Sequence, residues 1–100
     1  MDLPTRIKIG GVLYTVSTEN ALCRDRDKLG ESCGNDLSIV IDSSIPRQNK
    51  ESVLLHEILE QINYQYELSL NHEKITVLGT ALYQIMKDNP SFMEFMLREI

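Results

Sequence analysis

The first polar and apolar pattern along the chain is an alternation with a period of two, between residues 6 and 17. Ile7 and Ile9 share one face, and Val12, Tyr14 and Val16 continue the alternation after two glycines. Consecutive glycines suit a tight turn because its central residues need positive φ. This segment is therefore predicted to form a β-hairpin.

The next 18 residues, from 18 to 35, are polar, with charges of alternating sign and two glycines, and they are interpreted as a surface loop. Leu37, Ile39 and Ile41 then alternate with Ser38 and other residues, which predicts a third strand ending near residue 42. The sheet is thus expected within residues 5–42, with three antiparallel strands.

From about Gln48 the apolar spacing changes to three and four residues, which is typical of a helix. The predicted helices cover about 48–67, 72–88 and 91–99. Asn71 is a suitable N-cap for the second helix, and Pro90 ends it because proline lacks an amide hydrogen. The buried stripe of that second helix is predicted to consist of Ile75, Leu78, Leu82, Ile85 and Met86.

The fold class is accordingly α+β: a small three-stranded antiparallel sheet followed by two antiparallel helices and a short C-terminal helix. A length of 100 residues suits a single domain over 1–100. The apolar fraction of 42% and the charged fraction of 25% are those of an ordinary globular protein. Met86, Met93, Met96, Phe92 and Phe95 are interpreted as ordinary core, although such residues also form partner surfaces.

The net charge of −5 disfavours nucleic-acid binding, which needs a basic face to contact phosphates. No apolar run approaches the roughly 20 residues that span a bilayer, and no signal peptide is evident. A cytoplasmic location is therefore expected. In that compartment Cys23 and Cys33 are expected to be free thiols.

The candidate chemistry lies at His56-Glu57-x-x-Glu60 on the first predicted helix. His56 and Glu60 are four residues apart, so both project from one face and can contact one ion. Zinc accepts imidazole nitrogen and carboxylate oxygen, and catalytic zinc keeps one position open for water. His72, in the first turn of the next helix, is the best candidate for a third ligand, with Glu73 in reserve.

Glu57 matches the glutamate of an H-E-x-x-H helix, which acts as general base on metal-bound water. A metal ion lowers the pKa of that water towards about 7, so hydroxide forms at neutral pH. Two alternatives remain open from the residues alone. His56 and Glu60 also fit a solvated hydrogen-bonded pair, and His72 fits an exposed first-turn residue equally well.

A family resemblance covers nearly the whole chain. It is carried by residues 37–42, Pro46, Leu54-Leu55-His56-Glu57-Ile58-Leu59-Glu60, residues 64–68, Ile75, and 81–84 through Asp88-Asn89-Pro90, together with the early hairpin. These segments resemble small zincin-like proteins of bacteriophages and prophages, which are compact relatives of the ImmA/IrrE metallopeptidases. The sequence departs from the zincin pattern at Glu60, which stands where the second histidine is usual.

The resemblance implies a metal set rearranged to His56, Glu60 and His72, with Glu57 as the catalytic base. It implies a phage- or prophage-encoded metal-binding protein that hydrolyses peptides with metal-activated water, in the cytoplasm of an infected or lysogenic bacterium. Zinc is the expected cofactor, although iron and manganese also suit these ligands. The alternative is a non-catalytic module that binds and inhibits a host enzyme or defence factor, and a peptide or protein partner is expected in either case.

Overall fold

A computed structural model describes residues 3–20, 22 and 28–98. Within them the chain is α+β, with a four-stranded sheet followed by two long helices and one short helix. Cys23, which is predicted to be a free thiol, lies outside the described residues. The elements in chain order are β1 (Arg6–Ile9), β2 (Val12–Glu19), β3 (Gly30–Cys33), β4 (Ser38–Asp42), α1 (Arg47–Tyr66), α2 (His72–Asp88) and α3 (Pro90–Leu97).

The sheet is mixed, so the prediction of three antiparallel strands was wrong. Its strand order is β1-β2-β4-β3, with β2 and β4 parallel and the other two pairs antiparallel. The missed strand, β3, lies inside the segment interpreted as a loop. Its sequence Gly30-Glu31-Ser32-Cys33 carries no apolar alternation, because β3 is an edge strand with half-buried side chains.

The predicted hairpin is confirmed as β1 and β2, whose connection is the glycine pair. Gly10 and Gly11 have φ values of 57° and 80°, the left-handed values that such a turn requires. A side chain at Gly10 would also collide with Gln65 of α1, so the turn lies directly against that helix. The glycines therefore allow both the reversal and the helix contact.

One side of α1 covers the sheet and closes the core. The fully or nearly buried apolar residues of this core all come from strands, namely Ile9, Tyr14, Val16, Ile39 and Ile41. Val53, Leu54, Ile58 and Ile62 of α1 pack against them. These four residues belong to the apolar series whose spacing predicted the helix, whereas Tyr66 of the same series is 61% exposed.

The predicted core stripe of α2 is largely exposed, which corrects the sequence interpretation. Only Ile75 is fully buried, at 1% exposure, whereas Leu78, Leu82, Ile85 and Met86 are 37–47% exposed. The reason is that α1 covers only part of the apolar circumference of α2. The same correction applies to α3, where Phe92, Phe95 and Met96 are exposed and only Met93 is half-buried.

The helix boundaries agree with the sequence prediction to within one residue for α1 and match it for α2. Helix α3 begins one residue earlier than predicted, at Pro90, because proline is well suited to the first helical position. None of the described helices combines the length and the apolar character needed to cross a membrane.

Candidate metal centre

Helix α1 presents His56 and Glu60 on the side that faces α2. Because the helix continues without interruption from Arg47 to Tyr66, residues four apart lie one turn from each other. The Nε2 atom of His56 lies 3.4 Å from Oε2 of Glu60. This pair is therefore set by local helix geometry alone.

The third residue reaches the pair through the connection between α1 and α2. Asn63, on α1, holds this connection with its side-chain amide: Nδ2 donates to the carbonyl of Leu70 at 3.1 Å, and Oδ1 accepts from the amide of Leu70 at 2.9 Å. Asn71 then caps α2 as predicted, because its Oδ1 accepts from the amide of Lys74 at 2.9 Å. These contacts start α2 at His72, beside Glu60.

The three predicted ligands converge on one point. Nδ1 of His72 lies 3.4 Å from the same Oε2 atom of Glu60 that faces His56. The two imidazole rings contact each other edge to face, with centroids 5.0 Å apart. One ligand atom from each of His56, Glu60 and His72 lies within 4.8 Å of the others, so this group could hold a metal ion.

Exposure of the group rises from α1 to α2. The side chains of His56 and Glu60 are 20% and 30% exposed, whereas that of His72 is 74% exposed. The group thus opens to solvent on the α2 side. An ion there would be reached by water without any movement of the helices.

Glu57 projects towards the sheet rather than towards α2. It is buried against β3, where its Oε1 accepts a hydrogen bond of 2.7 Å from the hydroxyl of Ser32. Burial raises the pKa of the Glu57 carboxyl above its ordinary value, and the hydrogen bond from Ser32 opposes that rise. The neighbouring charges of His56 and Glu60 act on this carboxyl in opposite directions.

A hydrogen-bonded chain of side chains leads from the hairpin to Glu57. Gln65 donates through Nε2 to the hydroxyl of Tyr14 at 3.2 Å, and that hydroxyl donates to Oε1 of Gln61 at 2.8 Å. Nε2 of Gln61 donates to Oγ of Ser32 at 2.9 Å, and Ser32 donates in turn to Glu57. Each donor in this series faces an acceptor, and the series ends at the carboxylate of Glu57, which accepts the last hydrogen bond.

The three residues predicted as ligands do come together as a group that could hold a metal ion, but sequence reasoning missed the residues that position them and Glu57. Asn63, Ser32 and Gln61 carry no motif of their own. The signal in the sequence for Asn63 is its place one turn after Glu60, just before the interhelical connection. The reserve ligand, Glu73, lies in the first turn of α2 and is outside the converging group.

A second polar cluster, also missed, joins α1 to α2 at the other end of α2. The hydroxyl of Tyr83 donates to Oε1 of Glu51 at 2.7 Å, and Nζ of Lys87 lies 3.0 Å from the same atom. These two hydrogen bonds lower the pKa of Glu51, and the bond to Glu51 raises the pKa of Tyr83. The two helices are thus connected by polar contacts at both ends of α2.

A cleft of about 900 Å³ lies beside this second cluster. Apolar residues of β2, α1 and α2 line it, together with the charged residues Arg47, Lys50, Glu51 and Lys87. None of His56, Glu60 and His72 contributes to its lining. This cleft is therefore separate from the candidate metal centre.

No protein-family model, curated protein or solved structure matches this chain. The resemblance to zincin-like phage proteins consequently stays a prediction.

Proposed function

We propose that this protein binds a divalent transition-metal ion, with zinc as the first choice, through His56, Glu60 and His72. The observation that carries the proposal is the convergence of two imidazoles on one carboxylate oxygen, with both nitrogen–oxygen separations at 3.4 Å. Ligands about 2.0–2.2 Å from a tetrahedral zinc ion are roughly 3.4 Å from one another. Two of the three ligand separations therefore already suit zinc.

The composition of the group supports a reactive site rather than a structural one. Structural zinc sites are usually closed by four protein ligands, whereas catalytic sites have three and keep one position for water or substrate. His56, Glu60 and His72 make three, and the exposed ring of His72 leaves the group open to solvent. Two imidazoles and a carboxylate also suit iron and manganese, so metal identity depends on supply as well as on geometry.

The proposed reaction is peptide hydrolysis of the zincin type, with Glu57 as general base. A bound metal ion would act as a Lewis acid and activate water. Glu57 would take the proton that water loses on attacking the peptide carbonyl, and would return it to the leaving amine, which requires its carboxyl to turn from Ser32 towards the metal group. A carboxyl whose pKa is raised by burial is closer to the range in which both transfers are efficient.

The edge of the sheet supports a peptide as substrate. Ser32, which holds Glu57, belongs to β3, the last strand in the order β1-β2-β4-β3. Extended peptides bind to sheet edges through main-chain hydrogen bonds. A peptide added along β3 would pass close to Glu57.

Zinc titration of chelator-treated protein, followed with a competing chromophoric indicator, tests the metal proposal. We expect one zinc ion per chain. His56→Ala, Glu60→Ala and His72→Ala should each weaken zinc binding by more than about 100-fold, because removing even an outer-shell partner typically costs 10- to 100-fold. Glu73→Ala is the matched control, since it removes a neighbouring exposed carboxylate from outside the group and should leave the affinity unchanged.

Wild-type protein that cannot be loaded with zinc, iron or manganese would end the metal proposal. Equal losses in Glu73→Ala and His72→Ala would show that a different ligand set is used.

Hydrolysis of an unfolded protein substrate by zinc-loaded protein tests the catalytic proposal. We expect wild-type protein to cleave, and Glu57→Gln to lose at least about 100-fold in rate while still binding zinc, because a general base typically contributes 10²–10⁴-fold. Zinc-loaded wild-type protein without activity would restrict the function to metal binding.

A second function is a non-catalytic module that binds a host protein. The observation in its favour is the cleft of about 900 Å³, which is lined by apolar residues together with Arg47, Lys50, Glu51 and Lys87 and lies apart from the metal group. A pull-down from bacterial lysate would discriminate the two. A partner that binds wild-type and Glu57→Gln protein equally but is lost in Lys50→Glu, without cleavage in any sample, would favour the binding module.

A further inference from the structure

The apolar surface of α2 is wider than the part that α1 covers. Ile75 and Gly79 are buried against α1, whereas Val77, Leu78 and Ile85 are 68%, 43% and 47% exposed. A helix on the surface of a globular protein normally turns one apolar stripe to the core and a polar face to water. Helix α2 therefore has a second apolar side that nothing in the described part of the chain covers.

Helix α3 extends this uncovered surface. It follows α2 directly at Pro90, contacts α2, and exposes Phe92, Phe95, Met96 and Leu97 by 49–79%. Aromatic residues and methionine are enriched at protein interfaces. We call the exposed apolar residues on the uncovered side of α2 and on α3 the hairpin surface: Val77, Leu78, Ile85, Phe92, Phe95, Met96 and Leu97.

The size of the hairpin surface matches one side of a protein interface. Fully exposed side chains of this size present roughly 150–200 Å² each, so the exposed parts of the set amount to roughly 700 Å². A stable complex of standard size buries about 800 Å² on each partner. The surface is thus large enough for one specific partner.

The order of residues along α2 favours a second copy of this chain as the partner. Lys74, Val77, Ala81, Ile85 and Asp88 follow one another at spacings of three, four, four and three residues, so they form one strip along the helix. This strip is symmetric about Ala81, with an apolar residue on each side and a charged residue at each end. The two end charges have opposite sign.

A strip with this symmetry is complementary to itself in the antiparallel direction. When two copies of α2 cross at Ala81, Lys74 of each copy faces Asp88 of the other, and Val77 faces Ile85. Two-fold dimers use the same patch on both subunits in this way. The small side chain of Ala81 allows close approach at the crossing.

The two end charges of the strip have no ion-pair partner within the described part of the monomer. Neither Lys74 nor Asp88 forms an ion pair among residues 3–20, 22 and 28–98. Each also stands at the less favourable end of its own helix, because the helix dipole favours acidic residues in the first turn and basic residues in the last. A second copy supplies each with an opposite charge.

We propose that the hairpin surface is the interface of a homodimer, in which α2 packs antiparallel on α2 of a second copy, about a two-fold axis at Ala81. Sedimentation analysis of the 100-residue chain tests the assembly. We expect a dimer for wild-type protein and a monomer for Val77→Glu and for Ile85→Glu, with unchanged helical circular dichroism, since both positions are exposed. Leu13→Glu, which places the same charge on an exposed leucine of β2, should leave the dimer intact.

Charge reversal tests the register. Lys74→Asp and Asp88→Lys each place like charges at both ends of the strip, so each should raise the dimer dissociation constant by about tenfold. The double variant restores two opposite pairs and should recover wild-type affinity. Both single variants improve the charge at their own helix end, so loss of the dimer could not be ascribed to an unstable monomer.

A monomeric wild-type chain at its highest soluble concentration would overturn the proposal and assign the surface to a different protein. A dimer that survives Val77→Glu and Ile85→Glu would place the interface elsewhere. A dimer that responds to those two variants, but not to either charge reversal, would overturn the antiparallel register.

Discussion

Helix α1 contacts the sheet on one side and α2 on the other, and these two interfaces differ in composition. On the sheet side, strand residues such as Ile39 and Ile41 are fully buried, and the polar groups form a continuous chain from Gln65 to Glu57. On the α2 side, only Ile75 is fully buried among the side chains, and the polar contacts are two separate clusters at the ends of α2.

From this difference we expect the interface between α1 and the sheet to be stable without a ligand, and the interface between α1 and α2 to be strengthened by ligand binding. Close packing of α1 against fully buried strand residues holds the helix in one position on the sheet. The contact between α1 and α2 buries less and includes a group suited to a metal ion. We therefore expect ligands and partners to alter the stability of the α2–α3 hairpin more than that of the sheet.

The largest expected effect is in the sheet core. Ile39→Ala removes a fully buried side chain and should lower the free energy of unfolding by about 2–5 kcal/mol. Ile85→Ala makes the same chemical change at a position that is 47% exposed, and should cost no more than about 0.5 kcal/mol in monomeric protein. Urea unfolding of dilute protein measures both, and similar losses would contradict the comparison.

Zinc is expected to strengthen the weaker interface. At a zinc concentration of 100 times the dissociation constant, the free energy of unfolding should rise by about 2.7 kcal/mol, because the ion binds only the folded chain. Hydrogen exchange should slow most around residues 60–76, which include the connection and the first turn of α2. His72→Ala should remove the gain, while Glu73→Ala should retain it; a gain spread evenly over the sheet would contradict the proposed site.

The polar chain on the sheet side is expected to contribute through burial. Tyr14→Phe removes the donor to Gln61 and leaves a buried amide oxygen without that partner, so the free energy of unfolding should fall by about 1–3 kcal/mol. Tyr64→Phe, on a side chain that is 61% exposed, is the matched control and should change it by less than about 0.5 kcal/mol. Equal effects of the two substitutions would show that the hydrogen-bonded side chains from Gln65 to Glu57 are not needed for stability.

The smallest effect is expected at Glu51, where the contacts are exposed. Because the pKa of Glu51 is lowered from its usual 4.5 in the folded protein, its contribution is present above pH 4.5 and is lost as the pH falls through the folded-state value. Wild-type protein should therefore exceed Glu51→Gln slightly in stability at neutral pH, with the difference vanishing well below pH 4.5. Denaturation of both chelator-treated proteins at neutral pH and well below pH 4.5 measures this difference in stability. A difference that grows towards acid pH would contradict the prediction.

Features that depend on neighbouring residues were predictable from the sequence. The glycine turn, the start of α2 after Asn71, and the pairing of His56 with Glu60 all follow from backbone preference or from helix periodicity. His72 was within reach of the same reasoning, because a short connection returns α2 alongside α1. The candidate metal group was thus predictable as a set of residues.

Features that depend on distant residues were not predictable. The hydrogen bond between Ser32 and Glu57 joins positions 25 apart, and that between Tyr14 and Gln61 joins positions 47 apart. Neither pair has a local pattern, and β3 is too polar to be recognised as a strand. Apolar periodicity predicted that Ile75 and Ile85 are both buried, but only Ile75 is. The spacing identifies an apolar side of a helix, not whether another part of the chain covers it.

The parallel pairing of β2 with β4 has a consequence for the rate at which the chain folds. Thr15 must find Ser38 across more than 20 intervening residues, whereas the β1–β2 turn and the α1–α2 connection close over a few residues. Contacts between distant positions carry the larger loop-closure cost, and they slow folding. Substitutions along β4 should accordingly delay refolding, while substitutions on the outer side of α2 should mainly accelerate unfolding.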